Sequence, residues 1–286
     1  LDDIHEIVTA FGTSAARARE AGFDMVEIHG AHGYLLCQFL SPIANRRTDE
    51  YGSTMKNRAR FVVEVIEEVR RRVGNEFPVS LRLSIDESIR GGYTEEDMLT
   101  VIPDFVRAGA DVIHASLGTY GTPGGITSAP VEFEPGFNAF RARKVKEVVD
   151  VPVIAVGRFT DLSVADAVIG RKDADLVSFG RQFLADPDFL VKARDGRFED
   201  IRTCIACNQG CIERLMFEGK TVRCAINPET GQETIYPKER VARPRRVWVA
   251  GAGPAGLTAA YEASRLGHEV TVFEKEADAG GQLLYA

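Results

Sequence analysis

The 286-residue sequence contains no run of about 18 consecutive apolar residues, so a membrane-spanning helix is not expected. Its amino end, Leu1 to Phe11, is acidic and amphipathic and lacks the basic-then-apolar order of a secretory leader. An excess of positive charge is also missing. Lys and Arg number 35 against 42 Asp and Glu, and the resulting net charge of −7 argues against a duplex nucleic-acid partner. Cysteine is not abundant: five residues in a chain of this size do not make a disulfide-stapled secreted scaffold. There is no Met at position 1, and the last segment stops inside an unfinished fold, so both ends read as cuts through a longer protein. What remains, with 44% hydrophobic and 27% charged residues, is an ordinary globular composition, for which a soluble, cytoplasmic enzyme is the default expectation.

Strand and helix patterns alternate through the first 195 residues. Strands are expected at Phe23–His29, Val79–Leu83, Asp111–Ser116, Val153–Gly157 and Asp175–Phe179. Between them, helical stripes run from Ile4 to Ala18 and from Val62 to Val73, and further helices are expected at 139–149, 162–169 and 187–195. Thr94 and Asp97 make a capping-box start for a helix ending near Gly109, with Pro103 inside it expected to kink it. Such alternation predicts a parallel α/β sheet, and polar residues gather where the strands end, as they do at the carboxyl rim of a (β/α)8 TIM barrel. A barrel whose first three strands are absent is therefore expected. The 24 residues from Leu117 to Phe140 carry five glycines and three prolines and read as a lid over that rim or a mobile insertion.

Four of the five cysteines fall within 21 positions, as Cys204, Cys207, Cys211 and Cys224. Three thiolates in eight residues with a fourth returning later suit a [4Fe–4S] cubane, whose four irons each need one Cys. Structural zinc, the alternative, more often draws two separated close pairs. Asn208 and Gly210 are expected to curl the backbone so that amide N–H groups reach cluster sulfurs, and Cys37 reads as a buried packing residue. Farther on, Gly251-Ala252-Gly253-Pro254-Ala255-Gly256 follows an apolar strand and opens a helix, which is the context a dinucleotide-binding turn requires. Gly251 allows the turn, Gly253 lets a pyrophosphate approach, Gly256 lets helix and strand pack, and Glu274 stands where a ribose-binding carboxylate belongs. The glycines do not decide between FAD and NAD. At the end of the first expected strand, His29, His32 and Tyr34 lie within six residues. Imidazole N–H groups can stabilise charge on a substrate oxygen, and a phenol can deliver a proton.

The run from His29 through Pro42 (HGAHGYLLCQFLSP), with Asn45–Gly52 (NRRTDEYG) and Asn57–Phe61 (NRARF), resembles the Old Yellow Enzyme family of flavin barrels. The cysteine motif and the Gly251–Gly256 turn narrow the resemblance to its large iron–sulfur branch, which includes 2,4-dienoyl-CoA reductase, 2-enoate reductase, bile-acid enoate oxidoreductases and trimethylamine dehydrogenase. That resemblance implies four parts: a partial FMN barrel at 1–198, an iron–sulfur segment at 199–228, a linker at 229–245 and the start of a Rossmann-like FAD/NAD(P)-binding domain at 246–286. It implies FMN across the barrel mouth, with Arg82 beside the flavin ring and Gly157, Arg158, Gly180 and Arg181 at its phosphate. His29 and His32 fall on the pair that binds the substrate oxygen, and Tyr34 on the proton donor. The implied reaction is reduction of the C=C bond of an α,β-unsaturated carboxylate or enone, electrons passing from NAD(P)H through FAD and the cluster to FMN. The dienoyl-CoA reductase version of the motif lacks the two histidines, which favours an enoate or enone here. An amine dehydrogenase or demethylase of the trimethylamine dehydrogenase type is the alternative, or an inactive fragment of either.

Overall fold

The computed structural model describes residues 1–236 and 239–285, so positions 237 and 238 of the expected linker lie outside the described residues. The chain divides into two units, Leu1–Thr230 and Gly231–Ala286.

In the first unit, helix α1 (Asp2–Glu20) carries Asp2 and Asp3 in its first turn and Arg17 and Arg19 in its last, charges that complement the helix dipole. Gly22, with φ of 87°, turns the chain toward β1 (Val26–Gly30). There follow α2 (Leu35–Leu40), α3 (Met55–Val73), β2 (Val79–Ser84), α4 (Glu95–Ala108), β3 (Val112–Ser116), α5 (Ala139–Lys146), β4 (Val153–Val156), α6 (Leu162–Gly170), β5 (Leu176–Ser178), α7 (Arg181–Ala185), α8 (Phe189–Arg194) and the one-turn α9 (Arg214–Met216). The capping box of α4 forms as expected: Thr94 Oγ1 accepts from Asp97 N while the Asp97 carboxylate accepts from Thr94 N. Gly109, left-handed at φ of 119°, ends the helix, and Pro103 lies within it.

The five strands form one parallel sheet in the order β1-β2-β3-β4-β5. A doubly wound open sheet would reverse its strand order at a switch point. Here the order simply follows the chain. Ile28, Leu81, Leu83, Ile113, Ala115, Val153 and Ala155, on one face, join the core with Val62, Val65, Ile66 and Phe105 of the helices. Their period-two neighbours Glu27, His29, Ser80, Arg82, Ser84, His114 and Ser116 occupy the opposite face. A parallel sheet whose order follows the chain, with helices over one face and polar residues gathered at its carboxyl ends, is the anatomy of a (β/α)8 barrel wall, and the fold is α/β of this class.

Boundaries differ from the sequence pattern in several places, among them the following. Strand β1 starts at Val26 rather than Phe23, and Phe23 is exposed. Helix α5 ends three residues early, at Lys146. Between β5 and α8 the five-residue α7 had no counterpart in the pattern, because one and a half turns are too short to set up a stripe. The Leu117–Phe140 stretch holds a 3₁₀ turn at Pro123–Ser128, and its far end is tied down where Asn138 Nδ2 donates to Ala115 O (3.0 Å) and Val156 O (3.1 Å).

The second unit contains β6 (Arg246–Ala250), α10 (Pro254–Arg265) and β7 (Glu269–Phe273), the two strands parallel. Among the described residues, no helix is long and apolar enough to cross a membrane.

Candidate active site

The carboxyl ends of the strands surround a cavity of about 180 Å³. Arg82 comes from β2, Ser116 from β3, Gly157 and Arg158 follow β4, and Gly180 and Arg181 follow β5; all six line it. Residues Ile126–Ala129 form its outer wall, and Ile212 closes it from the cysteine segment. Nε of Arg82 and Nε of Arg158 are buried there without a partner. Buried guanidinium nitrogens cost free energy unless a ligand completes them, so the cavity suits an anionic guest. The two glycines differ in kind. Gly157 sits at φ of 153°, where a Cβ would come within 2.9 Å of Asn138 Cβ, so the fold itself demands glycine. A Cβ on Gly180 would meet no protein atom within 4 Å, which leaves open space for a ligand. The residues present therefore fit a flavin phosphate and ring.

Parallel pairing puts His29 beside Arg82 and Arg82 beside His114 across β1, β2 and β3. Past Gly30 the chain turns sharply, with His32 left-handed at φ of 61°. Its N–H donates to Ser84 Oγ (3.0 Å), and a 2.6 Å hydrogen bond joins His32 Nε2 to Ser116 Oγ. The His29 ring lies 5.2 Å from that of His32 and 5.0 Å from that of Tyr34, between centroids. Thus the three residues expected at the rim do converge. Burial, reinforced by the Arg82 charge, lowers the pKa of both imidazoles, that of His32 to about 3. His32 is accordingly neutral at physiological pH.

Two contributors, Ser84 and Tyr120, escaped the sequence pattern, while Ser116 is one of the polar residues it marks at the strand ends. Ser84 and Ser116 lock His32, and Tyr120 stands against Tyr34 with ring centroids 5.6 Å apart and edge to face. Tyr34 Oη donates to Tyr120 Oη at 3.3 Å, and this contact, with burial, pushes the Tyr120 hydroxyl up to about 12. The β1 and β3 ends are zippered together by an isolated bridge between His32 and Thr119, which carries Tyr120 into place. Ser84 follows Arg82 at a spacing of two, a signal that alternation along β2 could have supplied. Tyr120 lies in a glycine-rich loop and has no such signal. Deeper in the sheet, Glu27 Oε2 takes hydrogen bonds from Ser80 Oγ (3.0 Å) and His114 Nδ1 (2.9 Å).

Cys204, Cys207, Cys211 and Cys224 line one smaller pocket, together with Arg181, Asn208 and Gly210. Among the described residues, no three His, Cys, Asp or Glu side chains close around a point as a single ion would need. Four thiols lining one pocket suit the donor chemistry of an iron–sulfur cluster. Within this loop the backbone N–H of Ala206 donates to Cys204 Sγ (3.4 Å), Asn208 is left-handed at φ of 59°, and its side-chain amide donates to Ser128 O (2.7 Å). Gly210 lets Arg223 and Cys224 approach, since a Cβ there would lie 2.9 Å from Arg223 O. Cys37 is buried, as expected, 3.4 Å from Tyr93 Oη.

In the second unit, Gly251 is left-handed at φ of 100°, and a Cβ on Gly256 would lie 2.0 Å from Gly251 O. Nothing lies near a Cβ on Gly253, at the amino end of α10. Glu274 accepts from Ala252 N at 2.7 Å, so this carboxylate also holds the glycine turn to the end of β7.

Together, the barrel wall and its anion-ready mouth define a flavin-type oxidoreductase. The chain belongs to the NADH:flavin oxidoreductase / NADH oxidase family, whose family model matches residues 1–200, and an NAD(P)-binding Rossmann-like domain matches residues 249–285. It is 41% identical over 284 residues to an NADH oxidase of Thermoanaerobacter brockii, covering 99% of this chain and 44% of that protein. A cinnamate reductase of Clostridium sporogenes is 38% identical over 299 residues, with coverages of 99% and 44%. The structure of histamine dehydrogenase from Rhizobium sp. 4-9 superposes with a TM-score of 0.86 at 32% identity, over 98% of this chain and 41% of that one. The chain thus spans less than half the length of the relatives it matches. These findings place it in the iron–sulfur branch of Old Yellow Enzyme-like proteins that the motifs had indicated.

Proposed function

We propose that this chain carries the catalytic mouth of an NAD(P)H-dependent flavin and iron–sulfur oxidoreductase that reduces the C=C bond of an α,β-unsaturated carboxylate or enone. One observation carries the reading: His29, His32 and Tyr34 converge beside Arg82 and Ser116, which themselves line the cavity shared with Gly157, Arg158, Gly180 and Arg181. Arg82, Arg158 and Arg181 would hold the FMN, with Gly157 and Gly180 making room. Cys204, Cys207, Cys211 and Cys224 would hold a [4Fe–4S] cluster. Gly251, Gly253, Gly256 and Glu274 would bind FAD or NAD(P)H. When bound, these groups supply the hydride and single-electron chemistry that no side chain provides.

The side chains then bind, orient and protonate. His29 and His32, kept neutral by burial and by Arg82, offer N–H groups to a carbonyl or carboxylate oxygen without adding charge of their own. Ser116 fixes the His32 ring, and Ser84 fixes its backbone. Tyr34, about half exposed, holds a proton at Oη. Tyr120 Oη, 3.3 Å away, is placed to return one to it. The Arg82 charge favours an anionic or oxygen-bearing substrate over an ammonium. The cinnamate reductase similarity supports the same choice.

A second reading has its own support. The edge-to-face pair of Tyr34 and Tyr120 could begin an aromatic cage for a methylated amine, and a histamine dehydrogenase is among the structural relatives. Anaerobic turnover of the full-length protein separates the two. Reduced enzyme should consume an α,β-unsaturated acid, and oxidised enzyme should not bleach with a methylated amine; the reverse pattern would establish amine oxidation. Within the first reading, Tyr34→Phe should lower alkene turnover about 100-fold or more while NAD(P)H still reduces the flavin. Unchanged alkene turnover would remove Tyr34 from the proton step.

A further inference from the structure

Arg181 lines both the large cavity and the cysteine pocket. Its Nη2 donates to Ala129 O (2.7 Å) in the outer wall, and its Nη1 donates to Asn208 Oδ1. Asn208, between Cys207 and Cys211, uses its own Nδ2 to grip Ser128 O (2.7 Å) in the same wall. One asparagine thus ties the cysteine loop to the wall and to the arginine of the flavin cavity. Its backbone is left-handed, at φ of 59°, a conformation that favours Gly, Asn or Asp, and only the asparagine amide both accepts from Arg181 and donates to Ser128. Glu213 N donates to Asn208 O (2.9 Å), so the residues leading to Cys211 and to Ile212 on the cavity wall hang from the same point.

We infer that Asn208 is a positioning residue that couples the two sites: an occupied cysteine pocket fixes Asn208, Asn208 fixes Arg181 and the Ser128–Ala129 wall, and the flavin cavity then binds FMN more tightly. The inference rests on the proposed cluster and FMN sites. The ordering cost of loop, arginine and wall is met once, by whichever group binds first, and the second binds to a prepared site. The coupling must be reciprocal, so FMN tightens the hold on the cluster by the same factor.

The test is the dissociation constant for FMN, measured anaerobically by equilibrium dialysis on the full-length protein before and after cluster reconstitution. Loading the cluster should tighten FMN about tenfold in the natural protein. In Asn208→Gly, which keeps the left-handed backbone and all four thiols, iron and sulfide content should be retained and the gain lost. A glycine variant with the full gain overturns the inference, as does a natural protein that binds both groups independently. Should the glycine variant load no cluster, Asn208→Asp decides. It keeps the acceptor for Arg181 but cannot donate to Ser128, so a reduced gain supports the coupling and an undiminished gain overturns it. A natural full-length protein that takes up neither iron nor flavin instead overturns the proposed function, and the inference with it.

Discussion

His32 joins backbone, electrostatics and site in one residue. Its left-handed φ aims the ring back over the sheet, Ser84 and Ser116 hold it there, and burial beside Arg82 keeps it neutral. The titration has a consequence for stability. Unfolded, His32 binds a proton near pH 6.5; folded, it does so only near pH 3. Between these values the unfolded state carries more protons, so stability is full above pH 6.5 and falls as pH drops through the window. The loss from this residue reaches about 2 kcal/mol by pH 5. Thermal melts at pH 7.5 and pH 5 should therefore fall more for the natural protein than for His32→Gln. Equal falls would mean that the ring is not buried as neutral imidazole.

At the scale of elements, the turn after each strand decides what the rim can bind. After β4, Gly157 is a necessity of the fold, since a side chain would strike Asn138, whose amide ties Ala115 O to Val156 O. After β5, Gly180 leaves room that no protein atom uses. The two alanine variants should therefore fail differently. Gly157→Ala should cost about 1–3 kcal/mol in denaturant unfolding, through the left-handed backbone and the clash. Gly180→Ala should melt as the natural protein does without flavin yet bind FMN more weakly. Equal unfolding midpoints for the two variants would count against the distinction. The strands and most helices could be read from alternation and caps, the Thr94–Asp97 box being the plainest case. Arg82 and His29 were legible for the same reason, as polar residues closing apolar strands. Tyr120 and the Arg181–Asn208 link were not. They join residues 86 and 27 positions apart, and only the parallel order of the sheet and the return of the cysteine loop bring them together. The approach of Arg223 to Gly210 was not legible either, because it depends on the path of the chain after Cys211.

For the whole molecule, the sheet has two open ends. Among the described residues β1 pairs only with β2 and β5 only with β4, so one edge of each is unsatisfied. On the inner face Leu176 of β5 is half exposed, where a closed barrel would cover it. The large cavity is bounded by strand ends β2 to β5, and among the described residues no further strand of this sheet lies beyond β1 or β5. A flavin bound there as proposed would keep contacts to Arg82, Arg158 and Arg181 on one side and lack them on the other. The phosphate end should then survive better than the ring end, because its charge-assisted contacts are local. The relatives supply more than twice this length, which is where the remaining wall would come from. The 286-residue chain produced alone should therefore bind FMN at least tenfold more weakly than the full-length protein, about 1.4 kcal/mol. It should also self-associate through the bare edges of β1 and β5. Dialysis against FMN, with light scattering of the same samples, measures both. Stoichiometric FMN held at full-length affinity by a monodisperse short chain would show that the five-stranded arc is sufficient, and that the rest of the barrel serves some purpose other than holding the flavin.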